Sequence, residues 1–75
     1  MEFDDEKIEE AALALLALTL HDEYRAWKGL DWDVLNGLYE KDLIANPRNK
    51  AKSVVFTLEG RATAIEACER LFKKN

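Results

Sequence analysis

The order of apolar and polar positions divides the chain into segments of different period. Between Ile8 and Leu20, leucines stand at 13, 15, 16, 18 and 20 among alanines at 11, 12, 14 and 17. At 100° per residue this spreads large side chains over well more than half of a helix circumference. Such a helix must either lie under every other element or meet a second copy of itself, and its alanines permit close helix approach in both cases. Asp4 stands at its N-cap, Asp5 and Glu6 lie in the first turn where the macrodipole favours negative charge, and Phe3 and Ile8 occupy the hydrophobic-staple positions.

His21-Asp22-Glu23 interrupts the apolar run. Leu16, Leu20, Tyr24 and Trp27 keep a helical spacing, so residues 22–29 read either as a continuation of the first helix or as a short second one ending at Gly29. Asp31 repeats the start signal with Leu30 and Leu35 at the staple positions, and predicts a helix from about Trp32 to Lys41. Leu35, Leu38 and Tyr39, with Val34 and Leu43, mark its inner face, and Gly37 weakens it by up to ~1 kcal/mol relative to alanine. Trp27 and Trp32 bracket the corner between helices and read as pins that lock it.

Leu43-Ile44-Ala45, the turn signal Asn46-Pro47 and the β-branched run Ser53-Val54-Val55-Phe56 predict a two-stranded hairpin with a basic tip. Thr57 then caps a last helix, on which Leu58, Ala62, Ile65, Cys68 (or Glu69) and Phe72 form one stripe, taken as its core face, with Leu71 flanking it. Glu66 with Arg70 and Glu69 with Lys73 make i,i+4 pairs. The predicted fold class is therefore α+β, mainly α. It is a single small domain over residues 1–75, winged-helix-like, with three main helices and a two-stranded β-hairpin before the last.

Two resemblances follow from these residues. LYEKDLI, a polar basic turn and SVVFTLEG resemble the part of winged-helix regulators where the third helix ends, the wing folds over and a Thr-x-x-Gly opens the next helix. HDEYRAWKGLDWD, LYEK and KAKSVVFT with EG after it resemble, over nearly the whole chain, a family of short bacterial proteins known as a domain of unknown function. The first resemblance implies the architecture and a candidate DNA-binding role; the second implies no activity. Both patterns usually carry glycine where this chain has Asp42, so the helix end there must turn on an aspartate. The space for a true second helix of a helix-turn-helix, Asp22 to Gly29, is short.

Composition narrows the function classes. A chain of 75 residues buries only about 60% of the surface its unfolded form exposes, yet its apolar content is too high for disorder. The lone Cys68 forms no internal disulfide and offers no CxxC pair, so a reducing compartment, the cytoplasm, is expected. The acidic amino terminus is not a signal peptide, and the apolar run from Ala11 to Leu20 is too short to span a bilayer. Net charge is −4, distributed as a dipole: the first 23 residues hold eight carboxylates against Lys7, while Arg48, Lys50 and Lys52 load the hairpin.

Catalytic chemistry finds no footing. Ser53, Thr19, Thr57, Thr63 and Cys68 have neither a second histidine, a Gly-rich phosphate loop nor a GxSxG elbow beside them. His21, Asp22 and Glu23 are adjacent and would point in three directions on a helix, which is no metal geometry. Asp31 and Asp33 are explained by capping. The chain is expected to be no enzyme and to hold no cofactor, metal or small-molecule ligand.

Interaction remains. A DNA-reading helix before the wing would present Asp31, Asp33, Asn36, Glu40, Lys41 and Asp42, whose charges repel a duplex. Arg48, Asn49, Lys50 and Lys52 are the candidate nucleic-acid contacts and would give only weak, salt-sensitive binding. The preferred expectation is a non-catalytic module for protein association in a regulatory role, with a protein partner or a second copy as homodimer. Leu13, Leu16, Leu20, Trp27 and Trp32 are its candidate interface, and a weak wing-led DNA-binding regulator is the alternative.

Overall fold

Three helices and a small antiparallel sheet follow one another in the computed structural model, which describes residues 2–74. They are α1 (Asp5–Leu18), β1 (Arg25–Trp27), α2 (Trp32–Glu40), β2 (Ser53–Val55) and α3 (Leu58–Phe72). The expected class, mainly α with a two-stranded antiparallel ladder before the last helix, is the one observed.

Each helix begins where a short polar side chain can close its first turn. Asp4 accepts from the N–H groups of Glu6 at 3.0 Å and Lys7 at 3.3 Å, Asp31 from that of Asp33 at 3.0 Å, and Thr57 from that of Gly60 at 2.9 Å. Those donors have no partner inside the helix, and each cap is worth about 1 kcal/mol. Of the two staples only the second is packed: Leu35 is buried with Leu30 against it, whereas Phe3 is largely exposed.

Residues 22–29 form neither a continuation of α1 nor a second helix. Asp22 and Glu23 take φ of 48° and 68°, and the chain doubles back. His21 N–H then donates to Arg25 O at 2.7 Å and Arg25 N–H to His21 O at 2.9 Å. Arg25–Trp27 pairs antiparallel with Ser53–Val55, placing buried Ala26 opposite buried Val54. A few apolar residues at helical spacing are a weak local signal, and ladder bonds with burial of that pair override it.

The expected arm Leu43-Ile44-Ala45 lies along the other side of β2, held by an isolated bridge between Ile44 and Phe56 and by Ala45 N–H donating to Val55 O at 2.8 Å. β2 is thus central, and the loop of residues 46–52, called the wing below, hangs between. Arg48 N–H closes the Asn46 turn on Oδ1 at 2.9 Å, and Pro47 is buried. Only α2 lies between β1 and β2, so the described residues contain no second helix to make a helix-turn-helix pair.

The core is built from Leu13 and Leu16 of α1, Ala26, Leu35 and Leu38 of α2, Ile44, Val54, Phe56 and Ala64. α1 and α3 run antiparallel, Glu10 near the start of one meeting Arg70 near the end of the other. The buried residues of α3 are Gly60, Ala64 and Ala67. The stripe of Leu58, Ala62, Ile65, Cys68 and Phe72 is therefore not the core face: Leu58 is 75% exposed, Ala62 and Phe72 are exposed, and Ile65 and Cys68 are half-buried. Small residues at 60, 64 and 67 bring the α3 backbone close to its neighbours, and large side chains cannot occupy that side.

Where α2 hands over to α3, three features interlock. Asp42 takes φ 61° at the position the resemblance gives to glycine. Asp42 N–H donates to Tyr39 O and Leu43 N–H to Leu38 O, at 2.9 and 3.0 Å, the two bonds of a Schellman ending. Thr57 Oγ1 donates to Asp42 O at 2.7 Å while serving as the α3 cap. A Cβ added at Gly60 would overlap the Leu43 carbonyl oxygen.

Two substitutions test this joint. Asp42→Gly should raise unfolding free energy by about 0.5–1 kcal/mol, because a side chain in the left-handed region costs about 1–2 kcal/mol that glycine does not incur. Gly60→Ala should lower it by about 1–3 kcal/mol through overpacking against Leu43. Urea titrations read both, and a Gly60→Ala protein as stable as the parent would contradict the close seating of α3.

Candidate interaction surfaces

The interface expected on α1 divides in the structure. Leu13 and Leu16 are buried in the chain's own core, so neither is free to meet a partner, and Leu20 is half-buried against that core. The leucines that face outward are Leu15 and Leu18, the latter 62% exposed. Leu13 and Leu16 turn inward because α1 lies between α2, the sheet and α3, which leaves only its outer side open.

That outer side continues onto the corner. Trp27 N–H donates to Thr19 Oγ1 at 3.1 Å, and its ring stacks on His21 with centroids 4.5 Å apart. The residue remains 55% exposed. Leu15, Leu16, Thr19, Trp27, Gly29 and Leu30 enclose a shallow apolar niche of about 220 Å³. Trp27 therefore pins the corner on one face and offers the other to solvent.

The wing projects from the opposite side of α2. Lys28 anchors it, donating from Nζ to Pro47 O at 2.8 Å, Asn49 O at 3.1 Å and Asn49 Oδ1 at 3.2 Å, while Nζ lies 5.5 Å from the centre of the Trp32 ring. Arg48, Asn49, Lys50 and Lys52 are all exposed. Among the described residues, Arg48, Lys50 and Lys52 form no ion pair. Trp32, itself 51% exposed, lines an open concavity of about 500 Å³ with Arg48 and Asn49.

On the far side of α2 the sign reverses. Asp5, Glu9, Asp31, Asp33 and Glu40, with Ile8, Val34, Asn36 and Gly37, line a groove of about 640 Å³ between the start of α1 and α2. Glu9 is taken by Lys41, whose ammonium is held above its ordinary pKa chiefly by that hydrogen bond. Among the described residues no group of His, Cys, Asp and Glu converges to hold a metal ion. His21 is committed too, its Nδ1–H donating to Thr19 O at 2.8 Å.

Three of the four hydroxyl groups that stand as nucleophile candidates are engaged in holding the fold, and the fourth, Thr63, is exposed on α3. Ser53 Oγ accepts from Arg25 Nη1 at 3.3 Å, Thr19 Oγ1 donates to Leu16 O at 3.0 Å, and Thr57 bridges Asp42 and Gly60. Cys68 is half-buried on the outer flank of α3. What sequence reasoning missed is the outward set Leu15, Leu18, Leu58 and Phe72. The spacing Gly60, Ala64, Ala67 was the available signal, since small residues at i, i+4 and i+7 mark the side of a helix that another backbone approaches.

One cross-helix pair responds to acid. Arg70 meets Glu10 at 2.9 Å and Glu66 at 3.0 Å. Its hydrogen bond holds the Glu10 carboxyl below the usual carboxylate range, and the Arg70 guanidinium is correspondingly raised. A lowered folded pKa gives stability that is present above the unfolded value, about 4.3 for glutamate, and is lost as pH falls through the folded value. The melting-temperature difference between the parent and Arg70→Ala should be largest near about pH 7 and vanish toward about pH 3. A difference constant across that range would mean that Glu10 and Arg70 do not pair in solution.

The model of the domain of unknown function DUF6429 matches residues 4–74. An uncharacterized protein, y4hR, of Sinorhizobium fredii (strain NBRC 101917 / NGR234) is 51% identical over 74 residues, which is 99% of this chain and 100% of that protein. No solved structure matches. Among the described residues no helix is long and apolar enough to cross a membrane. With the family model covering nearly every residue from the α1 cap to the end of α3, the chain belongs to the DUF6429 family.

Proposed function

We propose that this protein is a small non-catalytic association module whose partner is a second copy of itself, met through the outer sides of the antiparallel α1–α3 pair. The observation that carries this reading is the outward apolar stripe on both helices. Leu15 and Leu18 stand exposed three residues apart on α1, and Leu58 and Phe72 stand exposed on α3 with half-buried Ile65 midway between them at seven-residue intervals. Such spacings keep side chains on one face of a helix.

Area supports the same reading. The accessible surface is 5471 Å², whereas a compact monomer of this mass should expose about 4,700 Å². The chain therefore exposes more surface than a compact fold of its mass requires. Large apolar groups exposed at this density mark association sites on soluble proteins.

A second reading, weak nucleic-acid contact led by the wing, is supported by Arg48, Lys50 and Lys52 being exposed without ion pairs beside Trp32. Asp33 and Glu40 on the adjoining face of α2 oppose it, because a phosphate backbone laid across the wing meets them next.

Light scattering across a concentration series tests the main reading. In about 500 mM salt, where contacts between charged faces are screened, the mass should approach two chains, and Leu15→Glu combined with Leu18→Glu should weaken association at least tenfold, about 1.4 kcal/mol, with helical circular dichroism unchanged. A one-chain mass for the parent protein at about 100 μM, where even a dissociation constant of about 1 μM leaves mostly dimer, would overturn it.

A further inference from the structure

We propose that the face formed by α2 and the wing is a separate self-docking surface, on which two copies meet about a two-fold axis near Asn36, the acidic groove of each receiving the basic wing of the other. This contact is independent of the α1–α3 face and stands or falls without it. It accounts for the pairing of unsatisfied charge on the two sides of one helix.

An interface between identical copies related by a two-fold axis uses the same patch twice, so the patch must be self-complementary. This one is. Asp33 and Glu40 lie toward the α1 side of the outer face of α2, in the groove shared with Asp5 and Asp31. The opposite side of α2 borders Arg48 and Asn46, in a second recess with Tyr39. Asn36 and Glu40 line both recesses, so the boundary between the negative and positive halves runs along them. A half-turn about that boundary lays each half over its opposite.

Anchors of the right kind stand on the wing side of that boundary. Trp32 and Tyr39 are both exposed on the outer side of α2, seven residues apart, and buried Trp and Tyr are the side chains that most often carry binding energy at the centre of an interface. The uncommitted cations of the wing and the carboxylates of the groove make the encounter attractive at low salt. Lys28 keeps the wing in place through Pro47 and Asn49, so its cations are presented on a fixed loop. Nucleic acid is the poorer occupant, because a continuous anion set over Arg48 would also cover Glu40 in the adjoining recess.

Sedimentation of the full chain carrying Leu15→Glu and Leu18→Glu isolates this contact from the apolar one. Self-association should be visible at about 50 mM salt and fall at least tenfold by about 500 mM, as screening shortens the reach of the charges. Arg48→Glu with Lys50→Glu should abolish it, and so should Asp33→Lys with Glu40→Lys. A mixture of those two charge variants should form a one-to-one complex, which also shows that both are folded. Asn36→Cys, with Cys68→Ala, should cross-link to its own copy on oxidation, as a residue on the axis must. Failure of the mixture to associate, or absence of the Asn36→Cys cross-link, overturns the proposal. So does binding of a single-stranded oligonucleotide by a chain that stays monomeric at low salt.

Discussion

Close approach of α3 to the rest of the molecule is the constraint on which this structure depends. Gly60 sits where no Cβ fits against Leu43, and Ala64 and Ala67 continue the same side of the helix. Backbone then packs near backbone, and dispersion contacts are gained over the whole length of the pair. The consequence falls on the large side chains. A helix whose inner side admits only glycine and alanine must carry its leucine, isoleucine and phenylalanine outward, and at about 25 cal/mol per Å² each one left in water is an unused source of stability. α1 meets the same limit from the other direction, since it has more leucines than the inner faces of so small a chain can cover.

The joint between α2 and α3 makes that approach possible. Thr57 caps α3, and its hydroxyl also ties the carbonyl of Asp42, the residue that ends α2 in the left-handed region. One side chain therefore fixes the end of one helix relative to the start of the next. Thr57 N–H donating to Leu43 O at 3.0 Å shortens the connection further. With the start of α3 set by these bonds, its direction along α1 is largely determined, and Arg70 closes the far end on Glu10.

Much of this was legible in the sequence, and the pattern of what was not is physical. Caps are local, so Asp4, Asp31 and Thr57 were readable from a few residues each, as were the Asn46-Pro47 turn and the demand placed on Asp42. β1 was not readable. Its strand character comes from Val54 opposite Ala26, nearly thirty residues away, while its own residues continue a helical spacing. Glu23 is a poor candidate for positive φ on propensity alone, although aspartate, as at Asp22, tolerates it better, and the ladder they serve justifies the pair. The face of α3 was misread for a related reason: ranking faces by hydrophobicity chooses the side with the largest side chains, whereas burial here is decided by backbone proximity. The same error placed Leu13 and Leu16 at a partner surface. The charges of the wing and of α2, by contrast, lie at the surface in the structure as they do in the sequence pattern.

Two surfaces of different physics result, and they need not act together. The outer side of α1 and α3 leaves Leu15, Leu18, Leu58 and Phe72 exposed, so a partner that covered them would gain from removal of water, a gain largely indifferent to ionic strength. The face of α2 and the wing is mixed in sign, with cations and carboxylates on either side of a line through Asn36. A net charge of −4 makes two approaching copies repel at long range, yet in the contact proposed above that face would orient them so that opposite charges come within a Debye length, about 10 Å at 0.1 M salt. Orientation rather than net attraction is what such a layout supplies. A duplex offers no such alternation, since its charge has one sign along its whole length, and it would have to cross the carboxylates of α2 to reach the wing. The arrangement of charge therefore favours a partner that carries both signs, and another copy of the chain carries them at the matching spacing by construction.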